Sequence, residues 1–465
     1  MKKVFVFCIG GTGIRVMKSI TMLMAGGMTT NGYTVVPIIV DPHLDLEEKK
    51  NLHRLFDEYE NIYRKSVENG ATRLNSLDGF FNSEIKTLPE LAEQTTGQQQ
   101  NVGSKEKFSS YIDKAKLGVN DENNYLIETL FSTKNLNSPL SVGFKGNPNV
   151  GTVVLGNIIE GATWFEDFER HCEKEDRVFI ISSIFGGTGA SGFPLLEKKI
   201  KNADDKPAVK NALIGAVTVM PYYGLKDPTA SGSDIDSTNF YTKTKAALAY
   251  YDGKIMSDYL YYIGEKSLRQ TYENDEKKQD DKANFIELVA ASALFDFLKR
   301  EKPERQQFLS RAINDDKDSM DFVSLGSGYK DIVKSVADYM LLRHLISKLP
   351  QEKHFPLEVT RGFDESFYKD SPFQRLTNFT DLYYKWYSEL AHNNRAFAPL
   401  LYDMPSQMGG WIKGIELDAK DETYYLLSMI KASNAEKGRE HSNKFRFFLE
   451  FAYDAINGYT RKIND

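Results

Sequence analysis

Two short glycine-rich segments constrain this sequence more than any other feature, because each follows an apolar run and precedes a helical pattern. Residues 10–13 read Gly-Gly-Thr-Gly and follow the apolar run 4–7. Residues 186–189 repeat Gly-Gly-Thr-Gly and follow the apolar run 178–181. A strand that turns directly into a helix presents backbone N–H groups at the positive helix end, which suits a phosphate group. We therefore expect an α/β fold in which both segments, the first and second glycine loops, bind one phosphate-containing ligand.

The composition supports a folded, multi-domain chain. The 465 residues are 41% hydrophobic and 27% charged, which is enough to build full hydrophobic cores. A net charge of −6 argues against a nucleic-acid-binding protein, because such proteins usually carry an excess of basic residues. The two cysteines, Cys8 and Cys172, fall in predicted core elements, so we expect no disulfide framework and a cytoplasmic protein. The longest apolar runs are shorter than a transmembrane helix needs, so no transmembrane segment is expected.

The hydrophobic pattern predicts three regions. Within residues 1–300 it predicts a mostly parallel sheet with helices on both faces, with strands at 3–9, 33–40, 177–183, 211–219 and 259–263. Residues 44–141 interrupt the alternation with charged helical stretches, so we expect an inserted helical subdomain there. Residues 301–465 predict a mainly α-helical C-terminal domain, in which only 355–360 looks strand-like.

Other strand ends also carry residues that suit a nucleotide. Ligands of open parallel sheets bind beyond the carboxyl ends of the strands. Asp41 ends the second predicted strand, where its carboxylate could orient the water shell of Mg²⁺. Gly146 and Asn147 begin another helix and could close over a terminal phosphate, while Thr12 and Thr188 offer hydroxyl donors.

The order of these segments resembles that of the tubulin/FtsZ superfamily of GTPases. Residues 185–194, Phe-Gly-Gly-Thr-Gly-Ala-Ser-Gly-Phe-Pro, resemble the Gly-Gly-Gly-Thr-Gly-Thr-Gly signature loop of that family. Residues 143–151, with Asn-Pro-x-x-Gly after a glycine turn, resemble the loop that contacts the γ-phosphate in the bacterial branch. Residues 9–13 resemble the first phosphate loop, and 219–224 resemble the strand and ribose loop. The chain is thus similar to a divergent bacterial tubulin-like protein over roughly its first 300 residues.

The resemblance implies a ligand, an activity and a set of site residues. It implies GTP or GDP with Mg²⁺, hydrolysis of GTP, and nucleotide-dependent self-association into a filament. The phosphate-binding positions it implies are Gly10, Gly11, Thr12, Gly13, Arg15, Gly146, Asn147, Gly186, Gly187, Thr188, Gly189 and Ala190. It places ribose and base contacts at Tyr222, Asn284 and Phe285. The position of Asp41 at a strand end puts it in the outer shell of a metal that takes no direct protein ligand. The catalytic residues stay unassigned.

A guanine-nucleotide-gated interaction module that does not hydrolyse GTP is the first alternative. In the family, an acidic loop after the central helix completes the site of the next subunit. The nearest acidic stretch here, residues 314–318, lies out of register with that loop. Such a module would hold a protein partner through residues 44–141 or through the C-terminal helices.

A dinucleotide-dependent oxidoreductase is the second alternative. The first glycine loop could bind a dinucleotide, although Val16 stands where that fingerprint has its third glycine. Tyr241 and Lys245 have the Tyr-x-x-x-Lys spacing of one catalytic pair.

Two interpretations without a ligand also stay open. The glycines could serve close packing alone, and Asn284 could be a helix N-cap.

Overall fold

The structure of the chain is a computed structural model. It describes residues 2–43, 46–68, 79–91, 106–117, 119–144, 146–225, 239–266, 268, 270–272, 282–313, 317–326, 328–348, 363–401, 410–415 and 443–460. The expected strand at 355–360 and most of the acidic stretch 314–318 lie outside the described residues.

A six-stranded parallel sheet forms the centre of the fold. Its strands are β1 (Lys3–Ile9), β2 (Thr34–Val40), β3 (Arg177–Ser183), β4 (Leu213–Val219), β5 (Tyr259–Glu265) and β6 (Gln307–Ile313). They lie in the order β2-β1-β3-β4-β5-β6, and every neighbouring pair is parallel. All residues of β1 and β2 are buried, because helices cover both faces of this part of the sheet. The predicted α/β class with a parallel sheet is therefore confirmed.

Helices pack on both faces of the sheet. The longer ones are α1 (Gly10–Ala25), α2 (Glu47–Val67), α3 (Asp121–Leu130), α4 (Pro148–Glu160), α5 (Thr163–His171), α6 (Gly187–Lys201), α7 (Phe240–Tyr251), α8 (Phe285–Leu298), α9 (Tyr329–Lys348), α10 (Ser371–Ala391) and α11 (Lys444–Thr460). Helices α1 and α8 cover one face, and α4, α5, α6 and α7 cover the other. Among the described segments, no helix combines the length and the apolar composition that crossing a bilayer requires.

Shorter elements connect these helices and strands. The short helices are Leu88–Leu91, Phe108–Tyr111, Lys114–Leu117, Thr133–Leu136, Pro207–Lys210 and Glu365–Lys369, and two turns of 3-10 helix span Leu140–Val142 and Val323–Leu325. Two small parallel pairs of strands join Tyr223–Leu225 to Gln270–Tyr272 and Ser319–Met320 to Ala396–Phe397.

The direction of the connections reverses between β1 and β3. The chain leaves β1 for β2 on one side, and from β3 onward it adds β4, β5 and β6 on the other side. The two strands are direct neighbours, with Cys8 of β1 in register with Ile181 of β3. Crevices for ligands form at such a reversal, beyond the carboxyl ends of the strands. Each glycine loop follows one of these two strands, so the topology brings both loops to the same crevice.

Described residues of the region 44–141 pack directly against the sheet and its helices, whereas we expected a separate helical subdomain there. Helix α2 packs against α1 and α10, and Phe56 and Tyr59 lie in the same hydrophobic cluster as α1. Ile85 forms a parallel bridge with Val35, next to β2. Phe108 belongs to the cluster on the opposite face. The apolar side of α2 explains its position, because packing against α1 and α10 removes that side from water.

The expected boundary near residue 300 falls inside the sheet. Strand β6 lies beyond that boundary and pairs with β5 along its whole length. Helices α9, α10 and α11 share one hydrophobic cluster with α1 and α8. The strand was missed because it is an edge strand in which partly buried residues alternate with exposed ones, such as Phe308. A pattern of this kind lacks the continuous apolar run by which the buried strands were recognised.

Candidate functional site

The two glycine loops meet at a cavity beyond the carboxyl ends of β1 and β3. Gly10, at the start of α1, has a φ of +71°. A Cβ atom added to Gly10 would lie 3.3 Å from the Cβ of Thr188, so the loops are in direct contact. The cavity between them has a volume of about 130 Å³. The sequence therefore predicted correctly that the two loops face each other.

Most of the implied phosphate-binding residues line this cavity. The lining residues are Gly10, Gly11, Thr12, Arg15, Asp41, His43, Leu46, Gly143, Phe144, Gly146, Ser183, Phe185, Gly186, Gly187, Thr188, Gly189, Tyr223, Leu225 and Phe240. Three of the implied phosphate-binding residues do not line the cavity: Gly13, Asn147 and Ala190. Each of them directly follows a lining residue in the chain. Asn147 is the N-cap of α4. The carbonyl group of Ala190 accepts a hydrogen bond from Tyr251.

Three of the helices that begin at the cavity, α1, α4 and α6, start without a side-chain cap. The N-cap residues of α1, α4 and α6 are Ile9, Asn147 and Gly186, and none of them makes a side-chain hydrogen bond to its helix. The first turn of each of these helices also lacks acidic residues. By contrast, α8 and α10, whose first residues do not line the cavity, are capped by Asn284 and Asp370. The uncapped N–H groups and the positive helix ends favour an anion in the cavity.

Close packing explains two of the glycines independently of any ligand. A Cβ atom on Gly13 would lie 2.7 Å from the carbonyl carbon of Cys8. A Cβ atom on Gly189 would lie 2.5 Å from the carbonyl oxygen of Ser183. These glycines let α1 and α6 approach the ends of their own strands, so close packing accounts for part of the motif.

A third segment, formed by the described residues of 143–147, lies against the first turn of α6. A Cβ atom on Gly187 would be 2.9 Å from the Cβ of Phe144 and 3.0 Å from the backbone nitrogen of Asn147. Gly146 adopts a φ of +72° and lines the cavity. Its carbonyl oxygen accepts a hydrogen bond of 2.6 Å from the Nζ of Lys243 on α7. This segment therefore forms one wall of the cavity, and the hydrogen bond from Lys243 holds it against α7.

Arg15 lines the cavity but is held by buried carboxylate and hydroxyl groups. Its Nε donates to Oε1 of Glu287 at 2.7 Å, and its Nη2 donates to the hydroxyl of Tyr222 at 2.9 Å. Tyr222 in turn donates to Oε1 of Glu287 at 2.7 Å. A weaker contact of 3.5 Å joins Arg15 to Glu48. Arg15 thus joins α1 to α2 and α8. These bonds use guanidinium donors that the implied phosphate contact would need.

The implied ribose and base contacts are not among the residues that line the cavity. Tyr222 is fully buried beside Arg15, and burial raises the pKa of its hydroxyl far above the ordinary value. Asn284 accepts a hydrogen bond from the backbone N–H of Ile286, and Glu287 completes a capping box with it. The ring of Phe285 stacks on Phe397. Asn284 therefore serves as the N-cap that the sequence had left open, and none of the three implied contacts lines the cavity.

Asp41 directly follows β2 and lines the cavity. Its Oδ1 accepts a hydrogen bond of 2.7 Å from the backbone N–H of His43. Burial raises the pKa of the Asp41 carboxyl, and the nearby charges of His43 and Lys49 oppose that shift. Among the described residues, no group of three or more His, Cys, Asp or Glu side chains could hold a metal ion.

An aromatic wall on one side of the cavity was missed by sequence reasoning. Tyr223 and Phe240 line the cavity, and their ring centroids are 6.2 Å apart. Phe185 lies 4.9 Å from Phe240 and 5.5 Å from Tyr223. The signal available was the pair of aromatic residues flanking the polar loop after β4, but nothing in the sequence places Phe240 against Phe185. Apolar rings beside a polar cradle are typical of pockets for small molecules.

The pair proposed for the oxidoreductase alternative is not part of the cavity. Tyr241 and Lys245 are both exposed on α7 and do not line it. The structure brings no catalytic tyrosine of that type to the glycine loops among the residues it describes.

Comparisons with known proteins add no assignment. A scan against models of known protein families found no match, and a search of curated proteins found no significant similarity.

Proposed function

We propose that this chain binds GTP in the cavity between the two glycine loops and acts as a tubulin/FtsZ-like nucleotide-binding protein. The observation that carries the proposal is the convergence of Gly10 and Thr188 at the reversal point between β1 and β3. Uncapped starts of α1, α4 and α6 supply backbone donors there. Donors fixed in this way suit the oxygens of a triphosphate.

The size of the cavity indicates which part of the nucleotide it holds. Its volume of about 130 Å³ is small for a whole nucleotide, since pockets that enclose a drug-sized ligand have volumes of about 300 Å³ or more. We therefore assign the phosphate groups to the cavity itself. The nucleoside would lie along the wall formed by Tyr223, Leu225 and Phe240. The choice of guanine over adenine rests on the sequence resemblance alone.

Hydrolysis of GTP to GDP and phosphate is part of the proposal. Such catalysis depends on fixed donors and on Mg²⁺, which neutralises developing charge on the phosphates, with little covalent chemistry from the protein. The donors here are the backbone groups of both glycine loops together with the hydroxyls of Thr12 and Thr188. Asp41 would orient the water shell of the metal. Nucleotide-dependent self-association is also proposed, from the resemblance.

A binding module that does not hydrolyse GTP is the second candidate. Among the described residues that line the cavity, Asp41 is the one with an acidic side chain, and burial favours its neutral form. An acidic group supplied by another subunit or partner would then be needed for turnover. This candidate predicts nucleotide-dependent capture of a partner and hydrolysis near the background rate.

A titration with fluorescent GTP at millimolar Mg²⁺ tests the central proposal. We expect saturable binding that unlabelled GTP competes away and that ATP and NADH compete away poorly. Absence of saturable binding, or equal competition by ATP and NADH, would overturn the proposal. Phosphate release and sedimentation, measured on the same protein over a concentration series, then separate the two candidates. Release that rises steeply with concentration, together with pelletable polymer, supports the GTPase. Binding without either supports the module.

A further inference from the structure

We propose that Lys243 is the residue by which this site distinguishes a nucleoside triphosphate from a diphosphate, an inference that rests on the proposed function. Lys243 lies on α7, and its Nζ donates a hydrogen bond of 2.6 Å to the carbonyl oxygen of Gly146. Gly146 lines the cavity, and so does Phe240, the first residue of α7. Lys243 therefore joins two elements that frame the cavity.

The position of Gly146 decides where the positive charge of Lys243 acts. A Cβ atom on Gly187 would lie 3.2 Å from the backbone nitrogen of Gly146, so Gly146 packs directly on the first turn of α6. That turn is part of the second glycine loop, and its N–H groups are the proposed phosphate donors. Lys243 does not itself line the cavity, but its ammonium group is bonded to a residue of the wall that a phosphate would contact.

The negative charge of a third phosphate calls for a basic side chain in addition to those that line the cavity. A triphosphate needs more neutralisation than a diphosphate, and a lysine is a common partner of the outer phosphates. Among the described lining residues, Arg15 and His43 are the ones with basic side chains. Arg15 is paired with the carboxylates of Glu287 and Glu48, which neutralise much of its charge locally. Lys243 adds a positive charge on the side of the cavity formed by Gly146.

The lysine side chain can serve both contacts. Its ammonium group has three donors on a flexible stem, so it can keep its hydrogen bond to Gly146 while a second donor reaches a phosphate oxygen. The Gly146 bond positions residues 143–147 in every state of the site. The phosphate contact forms only when the third phosphate is present. Loss of the charge should therefore reduce affinity for GTP more than affinity for GDP.

A matched set of variants tests this inference on the full chain. Lys243→Met removes the donors and the charge, and Lys243→Gln removes the charge while keeping a donor for Gly146. Lys245→Met is the control, because Lys245 is exposed on the same helix and its loss changes the net charge equally. Dissociation constants for GTP and GDP are measured by calorimetry at one Mg²⁺ and salt concentration, after a thermal melt confirms that each variant folds.

We expect both Lys243 variants to weaken GTP binding by about 10- to 100-fold, the value of one charge-assisted hydrogen bond, and GDP binding by about 3-fold or less. Lys245→Met should leave both constants unchanged. If Lys243→Met does not fold, Lys243→Gln carries the same test. Equal losses for GTP and GDP, or losses matched by the control, would overturn the role of Lys243 alone. A wild-type protein that binds neither nucleotide would overturn the proposed function as well.

Discussion

Arg15 donates from its Nε to Oε1 of Glu287 at 2.7 Å, and this buried pair joins the helix that begins at the first glycine loop to the start of α8. Oε2 of the same carboxylate accepts a hydrogen bond from the backbone N–H of Asn284. One glutamate thus caps α8 and holds the arginine that lines the cavity. The cavity wall at Arg15 and the first turn of α8 are therefore held together by one carboxylate.

Breaking the Arg15–Glu287 pair from either side should be costly. Glu287→Gln or Arg15→Met would leave a buried partner uncompensated, and such changes cost about 3 to 5 kcal/mol of unfolding free energy. The double variant should lose much less than the sum of the single losses. Urea denaturation of the four proteins measures this coupling. Additive losses would show that the pair contributes no mutual stabilisation.

Alanine at Gly187 should disrupt the cavity wall. Its Cβ would lie 2.9 Å from the Cβ of Phe144, which is too close for either residue to keep its position. We expect a loss of about 1 to 3 kcal/mol in unfolding free energy and a marked fall in nucleotide affinity. Gly156→Ala on α4 is the control, because nothing lies within 4 Å of its Cβ position. That variant should gain about 0.5 to 1 kcal/mol and bind nucleotide normally. Equal behaviour of the two variants would contradict the packing described for residues 143–147.

The hydroxyl of Thr188 should contribute to binding but little to stability. Thr188→Ala removes one neutral hydrogen-bond donor, which corresponds to about a 2- to 12-fold loss of nucleotide affinity. Thr188→Ser keeps the donor and should bind within about 2-fold of the wild type, a difference smaller than one hydrogen bond contributes. Calorimetric titration of both variants measures the difference. If the alanine and serine variants bind equally well, the hydroxyl is not a ligand.

Asp41 should make the stability of the ligand-free protein depend on pH. Burial raises the pKa of its carboxyl in the folded state, so the folded protein favours the neutral form. The wild type therefore loses stability as pH rises through the folded-state pKa, while Asp41→Asn does not. We expect Asp41→Asn to be the more stable protein near neutral pH, and the difference to vanish below the ordinary aspartate pKa. Thermal melts over a pH series measure the effect, and a difference that grows toward acid pH would contradict it.

The same variant should bind nucleotide more weakly than the wild type when Mg²⁺ is present.

Local patterns predicted the buried part of the sheet with accuracy. The predicted strands at 3–9 and 177–183 have the same bounds as β1 and β3, because both strands are buried on two faces and give a clear apolar signal. The meeting of Gly10 and Thr188 followed from the rule that parallel strands align their carboxyl ends. Strand β6 was missed, since an edge strand that alternates buried and exposed residues carries a weak signal.

Contacts between distant parts of the chain were beyond the reach of sequence patterns. Arg15 and Glu287 are 272 positions apart, and neither residue signals its partner. Lys243 reaches Gly146 over 97 positions, so the clamp on residues 143–147 could be seen only in three dimensions. From the sequence alone, Asn284 was compatible both with a contact to the base and with a helix N-cap. The three-dimensional position of Glu287 decided for the cap.

Amide hydrogen exchange with and without a slowly hydrolysed GTP analogue, at millimolar Mg²⁺, tests the central claim most directly. If one triphosphate lies between the glycine loops, exchange should slow together in the peptides that contain residues 10–13 and 186–189, with the same dependence on ligand concentration. Peptides from α9 and α11, which contribute no residue to the cavity lining, should change little. Protection of one loop without the other, or of neither at saturating analogue, would contradict the account.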